Sequence, residues 1–239
     1  MDPAYVAVHA EQDRRHWWFR GRLAVLLAVV RGLVPARGAR ILELGCGSGN
    51  VLEALAALGE VVGMERDPVL LAAARAAGLD VREGALPDDL VVEPGWADLT
   101  LLLDVLEHLD DDVAALRTAR RSLRGGGRLV VTVPAYAWLW SGHDAVLGHR
   151  RRYTARRLRA VVEAAGLAVE RCGYFNTLLF PALAAARMAR RLTGDRGHDL
   201  VRLPEPLNAL LAACFALERA LVRRRGLPFG GSVLLVARR

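Results

Sequence analysis

The sequence predicts an α/β protein in which helices cover both faces of a doubly wound, mostly parallel sheet. A short apolar run at residues 41–44 leads into closely spaced glycines and then into a helical pattern at residues 51–58. Further strand-like runs alternate with helical patterns along the chain. One of these runs, residues 98–103, is apolar enough for the centre of a parallel sheet. The 239 residues suffice for one domain with a full core.

The glycines after the first strand, Gly45, Gly47 and Gly49, alternate with other residues. Glycine lets backbone approach a nucleotide because it has no Cβ. The spacing G-x-G-x-G differs from the dinucleotide fingerprint G-x-G-x-x-G, and Glu43 lies two residues before the first glycine. A carboxylate repels a diphosphate but attracts an ammonium or sulfonium group. The pattern therefore favours a cationic nucleoside.

This acid and its glycines resemble the first motif of the class I S-adenosylmethionine-dependent methyltransferases, in particular bacterial members of types 11 and 12. The resemblance implies a Rossmann-like sheet of seven strands, with S-adenosylmethionine as cofactor. Glu65 ends the next strand, roughly 20 residues after the turn, where ribose-binding acids lie in such folds. Ala85 replaces the family's usual adenine-binding acid, which leaves adenine to backbone groups there or to Asp88. The predicted cofactor site is Glu43, Gly45, Cys46, Gly47, Gly49, Glu65, Arg66, Ala85, Leu86 and Asp104.

Residues 104–109, Asp-Val-Leu-Glu-His-Leu, follow the fourth strand at the edge where open α/β sheets bind ligands. His108 is a candidate general base, since histidine titrates near neutrality. Glu107 and His143 complete the predicted catalytic set. The resemblance offers a second role, because ubiquinone-pathway O-methyltransferases and small-RNA 3′-end methyltransferases bind a divalent cation through acid-x-x-Glu-His, here Asp104, Glu107 and His108. A third alternative is that Glu107 and His108 only orient the next helix, and we assign no metal ligand from the sequence.

Three segments are candidates for contacting the substrate. The aromatic stretch at residues 16–20 precedes a helix predicted over residues 23–34, and it either closes over the site as a lid or packs on the core. An aromatic loop follows the fifth strand, where it could line a substrate pocket. The arginine-rich run after that loop either binds an anionic group of the substrate or forms a solvated surface. The predicted substrate-binding residues are Trp17, Trp18, Arg20, Tyr136, Trp140, His149 and Arg152.

Some fifty residues separate the sixth strand, at 167–174, from the last, at 231–238, which the family pairs antiparallel across a short loop. The intervening residues predict helices over 180–192 and 206–225, with a polar loop between them. The second helix is apolar and ends in arginines. It fits a membrane-surface element, a cover for the active site, a dimer interface or a hairpin packed on the sheet.

Composition limits the function classes. The net charge is +7 and every one of the 33 basic residues is arginine, so the charge partly reflects codon bias. No Asn/Asp-Pro-Pro-aromatic motif follows the fourth strand, which argues against nucleic acid as a partner. Three scattered cysteines predict neither disulfides nor a zinc cluster, and together with the lack of a signal-like apolar start they favour the cytoplasm.

The sequence therefore predicts one methyltransferase domain over residues 1–239, which acts on a small-molecule or lipid-linked acceptor with oxygen as the favoured atom. Weak peripheral contact at the inner face of the membrane is expected to accompany a lipid-linked acceptor. The alternatives are a non-catalytic module that binds the cofactor or a partner, supported by Ala85, and a nucleic-acid methyltransferase. The acceptor and the oligomeric state are left open. The predicted parts are a helical lid (1–36), a cofactor-binding core (37–175), a helical insertion (176–230) and the last strand (231–239).

Overall fold

The computed structural model describes residues 12–35, 38–193 and 203–239. Its centre is a sheet of seven strands, which are β1 (Ala39–Leu44), β2 (Gly59–Glu65), β3 (Val81–Glu83), β4 (Ala97–Leu103), β5 (Leu123–Pro134), β6 (Ala168–Phe175) and β7 (Ser232–Arg238). Their order in the sheet is β3-β2-β1-β4-β5-β7-β6. β7 runs antiparallel to both of its neighbours, whereas the other pairs are parallel. The predicted doubly wound sheet with an insertion before the last strand is confirmed.

Helices cover both faces of this sheet. One apolar core lies under the helices at 112–122 and 155–164 and includes Leu116 and Leu158. The other lies under the N-terminal helix and the helices of the insertion, and it includes Val25, Phe215 and Val222. No helix within the described ranges has both the length and the apolar character needed to cross a bilayer. The helices are α1 (Trp17–Val30), α2 (Asn50–Leu55), α3 (Pro68–Ala76), α4 (Asp112–Ser122), α5 (Gly142–Leu147), α6 (Ala155–Ala164), α7 (Phe180–Thr193), α8 (Glu205–Ala216) and α9 (Arg219–Arg224).

The first helix begins earlier than predicted. The side chain of His16 accepts a hydrogen bond from the Trp18 amide at 3.3 Å, so the aromatic stretch forms the first turn of α1. The fifth strand is also longer than predicted, because the chain already pairs with β4 at Leu123, before the glycine triplet. Both differences arise from contacts that lie outside the local sequence pattern.

The insertion departs most from the prediction. The single helix expected over residues 206–225 is two helices, α8 and α9, which are separated at Leu217 and Glu218. Glu218 is 2% exposed, and its carboxylate accepts the amides of Thr177 and Leu178 at 2.7 Å each. This capping ties the break between the two helices to the end of β6. The polar loop expected over residues 193–204 lies mostly outside the described residues.

The insertion packs against the N-terminal helix. The Asn208 side chain on α8 accepts the Trp17 amide at 2.7 Å and donates to the Arg15 carbonyl at 2.8 Å. Phe215 lies against Gly21, where any added Cβ would come within 2.6 Å of the ring. The two segments that sequence alone could not place therefore form one layer beside the sheet.

Candidate active site

A cavity of about 660 Å³ opens where β1, β2 and β4 end. Its wall at the strand ends is polar and includes Glu43, Glu65 and Asp104. The N-terminal segment and the insertion supply another wall, which combines apolar residues with polar ones such as Arg22, Asn176 and Arg187. That wall includes Trp17, Trp18, Phe19, Leu179, Ala182, Leu183, Ala186 and Leu211.

The three glycines have different roles in the turn after β1. All three adopt left-handed backbone angles, with φ of 77°, 58° and 84° for Gly45, Gly47 and Gly49. A Cβ on Gly47 would meet nothing within 4 Å, so this backbone faces open space in the cavity. Gly45 faces the cavity too, but it lies against Val105, and Gly49 packs on Leu79 outside the cavity wall. Close approach of a ligand requires glycine only at Gly47.

Glu65 is held rigidly at the end of β2. One carboxylate oxygen accepts the Gly47 amide, and the other accepts the amides of Arg66 and Asp67, all at 2.8 Å. The carboxylate thereby joins the end of β2 to the glycine turn. It also lines the cavity, together with Arg66 and the predicted adenine-side residues Ala85 and Leu86. The Ala85 amide donates to the Asp89 side chain at 2.8 Å and the Ala85 carbonyl accepts the Asp89 amide at 3.0 Å, so both backbone groups of Ala85 are engaged within this loop.

Glu43 is a buried acid without a hydrogen-bond partner on Oε2 in the described chain. Burial raises the pKa of Glu43 to about 8. Of the nearby charges, Arg22 acts to lower this pKa and Glu65 acts to raise it. Glu43 is therefore largely protonated at neutral pH, and a cation placed beside it would favour its ionised form. Neighbouring Cys46 is buried as well, and burial together with Glu43 and Glu65 raises the pKa of its thiol, so we give that thiol no nucleophilic role.

Arg22 is a cation at this wall, and sequence reasoning missed it. Its guanidinium lies 2.6 Å from Asp104 and 5.3 Å from the centre of the Trp18 ring. Its Nε atom is buried without a partner among the described residues. The signal available in the sequence was an arginine directly before an apolar helical run, two positions after Arg20.

Glu107, His108 and His149 form a cluster deeper in the cavity. One ligand-type atom from each side chain lies within 4.8 Å of the others. Glu107 is fully buried, and neither of its carboxylate oxygens has a partner among the residues that the structure describes. Burial and nearby Asp104 raise the pKa of Glu107 well above its ordinary value. Burial, the His149 ring and Arg66 lower the pKa of His108 to about 3. His108 is thus neutral at neutral pH but accepts protons weakly.

His149 is oriented by a carboxylate. Its Nδ1 lies 2.8 Å from Asp144, which also binds Arg152 at 2.7 and 2.9 Å. Burial alone would raise the pKa of Asp144, but the hydrogen bonds from His149 and Arg152 lower it well below its ordinary value. The ionised Asp144 therefore keeps the proton on Nδ1, so the Nε2 lone pair is available for chemistry. This contact to Asp144 distinguishes His149 from His108, whose lowered pKa makes it a weak proton acceptor.

The structure brings most of the predicted site residues to the cavity and leaves four outside it. His143, Arg152, Trp17 and Trp18 contribute to the lining, although Arg152 is committed to Asp144. Arg20 pairs with Glu205 on the surface, Tyr136 stacks on Tyr174, and Trp140 and Gly49 do not reach the lining. We do not retain Arg20, Tyr136, Trp140 and Gly49 in the proposed ligand-binding set.

Asn176 is a second residue that sequence reasoning missed. It follows β6, adopts a φ of 57° and lines the cavity with its side chain fully buried. Neither its carboxamide oxygen nor its nitrogen has a partner in the described chain. A buried amide of this kind is costly unless a ligand or water completes its hydrogen bonds. No sequence pattern marked it.

Comparisons with known proteins agree with this geometry. A family model described as a methyltransferase domain matches residues 11–171, which is more than half of the chain. A ubiquinone biosynthesis O-methyltransferase from Xylella fastidiosa is 36% identical over 115 residues, covering 45% of this chain and 47% of that protein. The chain thus spans about half the length of the curated relatives it matches.

Two crystal structures show the same fold. A possible histamine N-methyltransferase from Thermotoga maritima aligns with a TM-score of 0.63 at 18% identity, covering 100% of this chain and 99% of that one. A phosphoethanolamine N-methyltransferase from Haemonchus contortus, in complex with S-adenosylmethionine, aligns with a TM-score of 0.58 at 15% identity, covering 89% and 51%. Together with the family match and the glycine turn, they lead to one conclusion. The chain belongs to the methyltransferase-domain family of class I S-adenosylmethionine-dependent enzymes.

Proposed function

We propose that the enzyme transfers the methyl group of S-adenosylmethionine to an oxygen atom of a small-molecule or lipid-linked acceptor. The observation that carries the proposal is the cluster of Glu107, His108 and His149 in the same cavity as the glycine turn. Methylation of a hydroxyl requires loss of its proton, and this cluster offers groups suited to that task. The printed names of the curated relatives, which are O-methyltransferases, point in the same direction.

The residues at the strand ends fit the cofactor. Gly47 has open space before its backbone, and in the described part of the chain neither Oε2 of Glu43 nor Nε of Arg22 has a hydrogen-bond partner. We assign Glu65 to the ribose hydroxyls, Glu43 to the cationic part of the cofactor and Arg22 to its carboxylate. The bound cofactor supplies an activated methyl group, and these residues hold it toward the cluster.

The protein's own contribution to the chemistry is positioning and proton transfer. His149, oriented by Asp144, accepts the hydroxyl proton at Nε2, while neutral His108 lies against it with ring centres 4.7 Å apart. Holding the acceptor in line with the methyl group is worth roughly 7–11 kcal/mol in favourable systems. A positioned base adds about 10²–10⁴-fold.

The same cluster fits a divalent cation. Glu107 has two unpartnered oxygens, and His108 and His149 face it within 4.8 Å. Asp144 bonded to the far nitrogen of His149 is the arrangement that orients a metal-binding histidine. Glu107, His108 and His149 would hold the cation, which would supply Lewis acidity that lowers the pKa of a bound hydroxyl. Of the acids considered from sequence, Asp104 is instead paired with Arg22.

The rest of the cavity suits an acceptor with a polar head and an apolar body. Within the described chain Asn176 offers a donor and an acceptor that lack partners. Leu179 just before α7 and Leu183 and Ala186 on its first turns supply apolar lining, with Arg187 and Arg190 further along the helix. We assign the polar head to Asn176 and the cluster, and the apolar body to α7. A lipid-linked acceptor of this kind would be reached through weak contact with the inner face of the membrane.

A substrate screen with mass-spectrometric detection tests the proposal. The purified protein is incubated with S-adenosylmethionine and one of four acceptors: a dihydroxybenzene, its alkylated analogue, an aromatic amine or RNA. We expect a methyl ether, formed faster from the alkylated compound, and His149→Ala should slow the reaction by about 10²–10⁴-fold. His143→Ala serves as the matched variant of another cavity histidine. Methylation of only the amine or RNA, or no transfer to any acceptor, would contradict the proposal.

A further inference from the structure

The outer face of the α8–α9 pair is apolar and exposed. Leu207, Leu210, Leu217 and Leu221 are 43%, 65%, 69% and 49% exposed, and they recur at helical spacing along one side. No charged residue occurs from Pro206 to Leu217. Exposed leucines are ordinary when scattered, but an aligned set on one surface marks a contact with something apolar.

The side of α8 opposite the leucines packs on the protein. Its buried residues are Asn208, Ala212 and Phe215, and the Asn208 side chain bonds to the Trp17 amide and the Arg15 carbonyl. Beyond Glu205 at its first position, α8 is therefore apolar on its exposed side as well as on most of its buried side. A surface helix normally presents polar residues to solvent. This departure indicates that the outer face is covered during function.

Unpaired arginines border this face. A groove of about 490 Å³ lies between α1 and α9, and it is lined by Arg31, Arg219, Arg223 and Arg224 together with Leu221. All four arginines are exposed, and none is ion-paired with an acid of the described chain. Since Leu221 belongs to both surfaces, the apolar face and the basic groove are continuous.

We propose that the outer face of α8–α9 and the adjoining arginine groove dock onto an anionic phospholipid bilayer. Leucines would enter the boundary between headgroups and acyl chains, and the arginines would contact lipid phosphates. All the charged residues that line the groove are arginines. An anionic bilayer would neutralise them, whereas a second copy of the chain would place its own arginines against them. Leu211 on the inner side of α8 lines the cavity, so docking would place the bilayer one helix away from the acceptor site.

Vesicle co-sedimentation with the full chain tests this surface. Vesicles of phosphatidylcholine alone are compared with vesicles that also contain phosphatidylglycerol, at low and high salt. We expect binding to the anionic vesicles only, weakened by salt. The variant R219Q/R223Q/R224Q should bind them about 100-fold more weakly. Each arginine near an anionic surface contributes a similar share of the binding free energy, and the loss of all three corresponds to this change in Kd.

Two further variants separate charge from apolar contact. R117Q/R121Q/R156Q removes the same charge from exposed positions on α4 and α6, beyond the other face of the sheet, and should bind like the wild type. L210S/L217S removes apolar contact and should also weaken binding. Equal loss in R117Q/R121Q/R156Q, or binding without preference for anionic lipid, would overturn the proposal.

The remaining outcomes are also decisive. A concentration-dependent dimer that L210S/L217S dissolves would assign the face to a second copy and refute bilayer docking. The inference depends on the proposed function only where it relates docking to a lipid-linked acceptor. Titration of S-adenosylmethionine into R219Q/R223Q/R224Q should match the wild type, so a failure of the methyltransferase proposal and a failure of the docking proposal are distinguishable.

Discussion

Nη2 of Arg22 on the N-terminal helix lies 2.6 Å from Oδ2 of Asp104 at the end of β4. This ion pair connects the segment that covers the cavity to the strand that leads into the Glu107–His108 turn. Its side chains are 10% and 24% exposed, so it is more sheltered than a surface pair. The aromatic N-terminal segment therefore packs against the core through Trp17 and Trp18 and lines the cavity with the same residues.

Arg22→Met should weaken S-adenosylmethionine binding and destabilise the fold. It leaves Asp104 without its partner and removes the cation nearest Glu43. Removal of one partner from a buried ion pair lowers the free energy of unfolding by up to about 3–5 kcal/mol. Because the Arg22–Asp104 pair is partly exposed, we expect a smaller loss than this. Calorimetry and urea unfolding measure both effects. The matched control is Arg20→Met, which breaks an exposed pair with Glu205 worth at most about 1 kcal/mol. Equal effects of the two variants would refute the role of Arg22.

Glu43→Gln should stabilise the cofactor-free protein, and more so at higher pH. The unfolded chain releases this proton near the ordinary pKa of 4.5, whereas the folded chain keeps it until about pH 8. Between these values the wild type loses stability as pH rises, at most about 1.4 kcal/mol per pH unit, and the variant lacks this loss. Urea unfolding at a series of pH values measures it. A difference between variant and wild type that does not change with pH would contradict the burial of Glu43 as an acid.

Removal of divalent cations tests the cluster. If Glu107, His108 and His149 hold a cation, a chelator should lower methyl transfer and leave S-adenosylmethionine affinity unchanged, and Mn²⁺ should restore the activity. Glu107→Gln should reproduce the loss, with His143→Ala as the comparison. Full activity in chelator would assign the cluster to proton transfer through His149 alone.

Asn176→Gly should raise KM for the acceptor. Glycine tolerates the φ of 57° and removes the carboxamide that we assign to the acceptor's polar head. Loss of one neutral hydrogen bond of about 0.5–1.5 kcal/mol corresponds to a rise of roughly 2- to 12-fold. Initial rates at varied acceptor and cofactor concentrations separate the two KM values. A rise confined to the KM for S-adenosylmethionine would move Asn176 to the cofactor side.

Gly21→Ala should loosen the packing of the insertion on α1. The new Cβ would come within 2.6 Å of the Phe215 ring, and overpacking of this kind costs about 1–3 kcal/mol. Thermal unfolding measures the loss. Gly32→Ala is the control, because the nearest atom to its Cβ is 3.4 Å away. A harmless Gly21→Ala would mean that Phe215 does not pack as described.

The sequence predicted what depends on local periodicity and strand ends. Buried strands and helical patterns gave the sheet, and the distance from the glycine turn to Glu65 located the second acid of the cofactor wall. Arg20 and Arg22 show the limit. The helix was predicted to start at residue 23, so their orientation was undefined. The helix in fact begins at Trp17 and contains both arginines. Because they are two positions apart, they lie on nearly opposite sides of the helix, with Arg20 toward Glu205 and Arg22 toward Asp104.

Residues that meet only through tertiary contacts could not be predicted as a group. His149 reaches His108 because the Arg150 amide donates to the Glu107 carbonyl at 2.7 Å and its Nε donates to the His108 carbonyl at 3.0 Å. These contacts join segments that are distant in sequence and carry no shared pattern. Asn176 likewise becomes a site residue only because the chain after β6 turns into the cavity.

Titration of S-adenosylmethionine into the wild type and Glu65→Ala, followed by calorimetry, tests whether Glu65 and the glycine turn bind the cofactor. Glu60→Ala, which replaces an exposed acid on the same strand, is the control. We expect micromolar binding by the wild type and Glu60→Ala, and loss of binding in a folded Glu65→Ala. Absence of binding by the wild type, or unchanged binding by Glu65→Ala, would contradict the cofactor site described for this cavity.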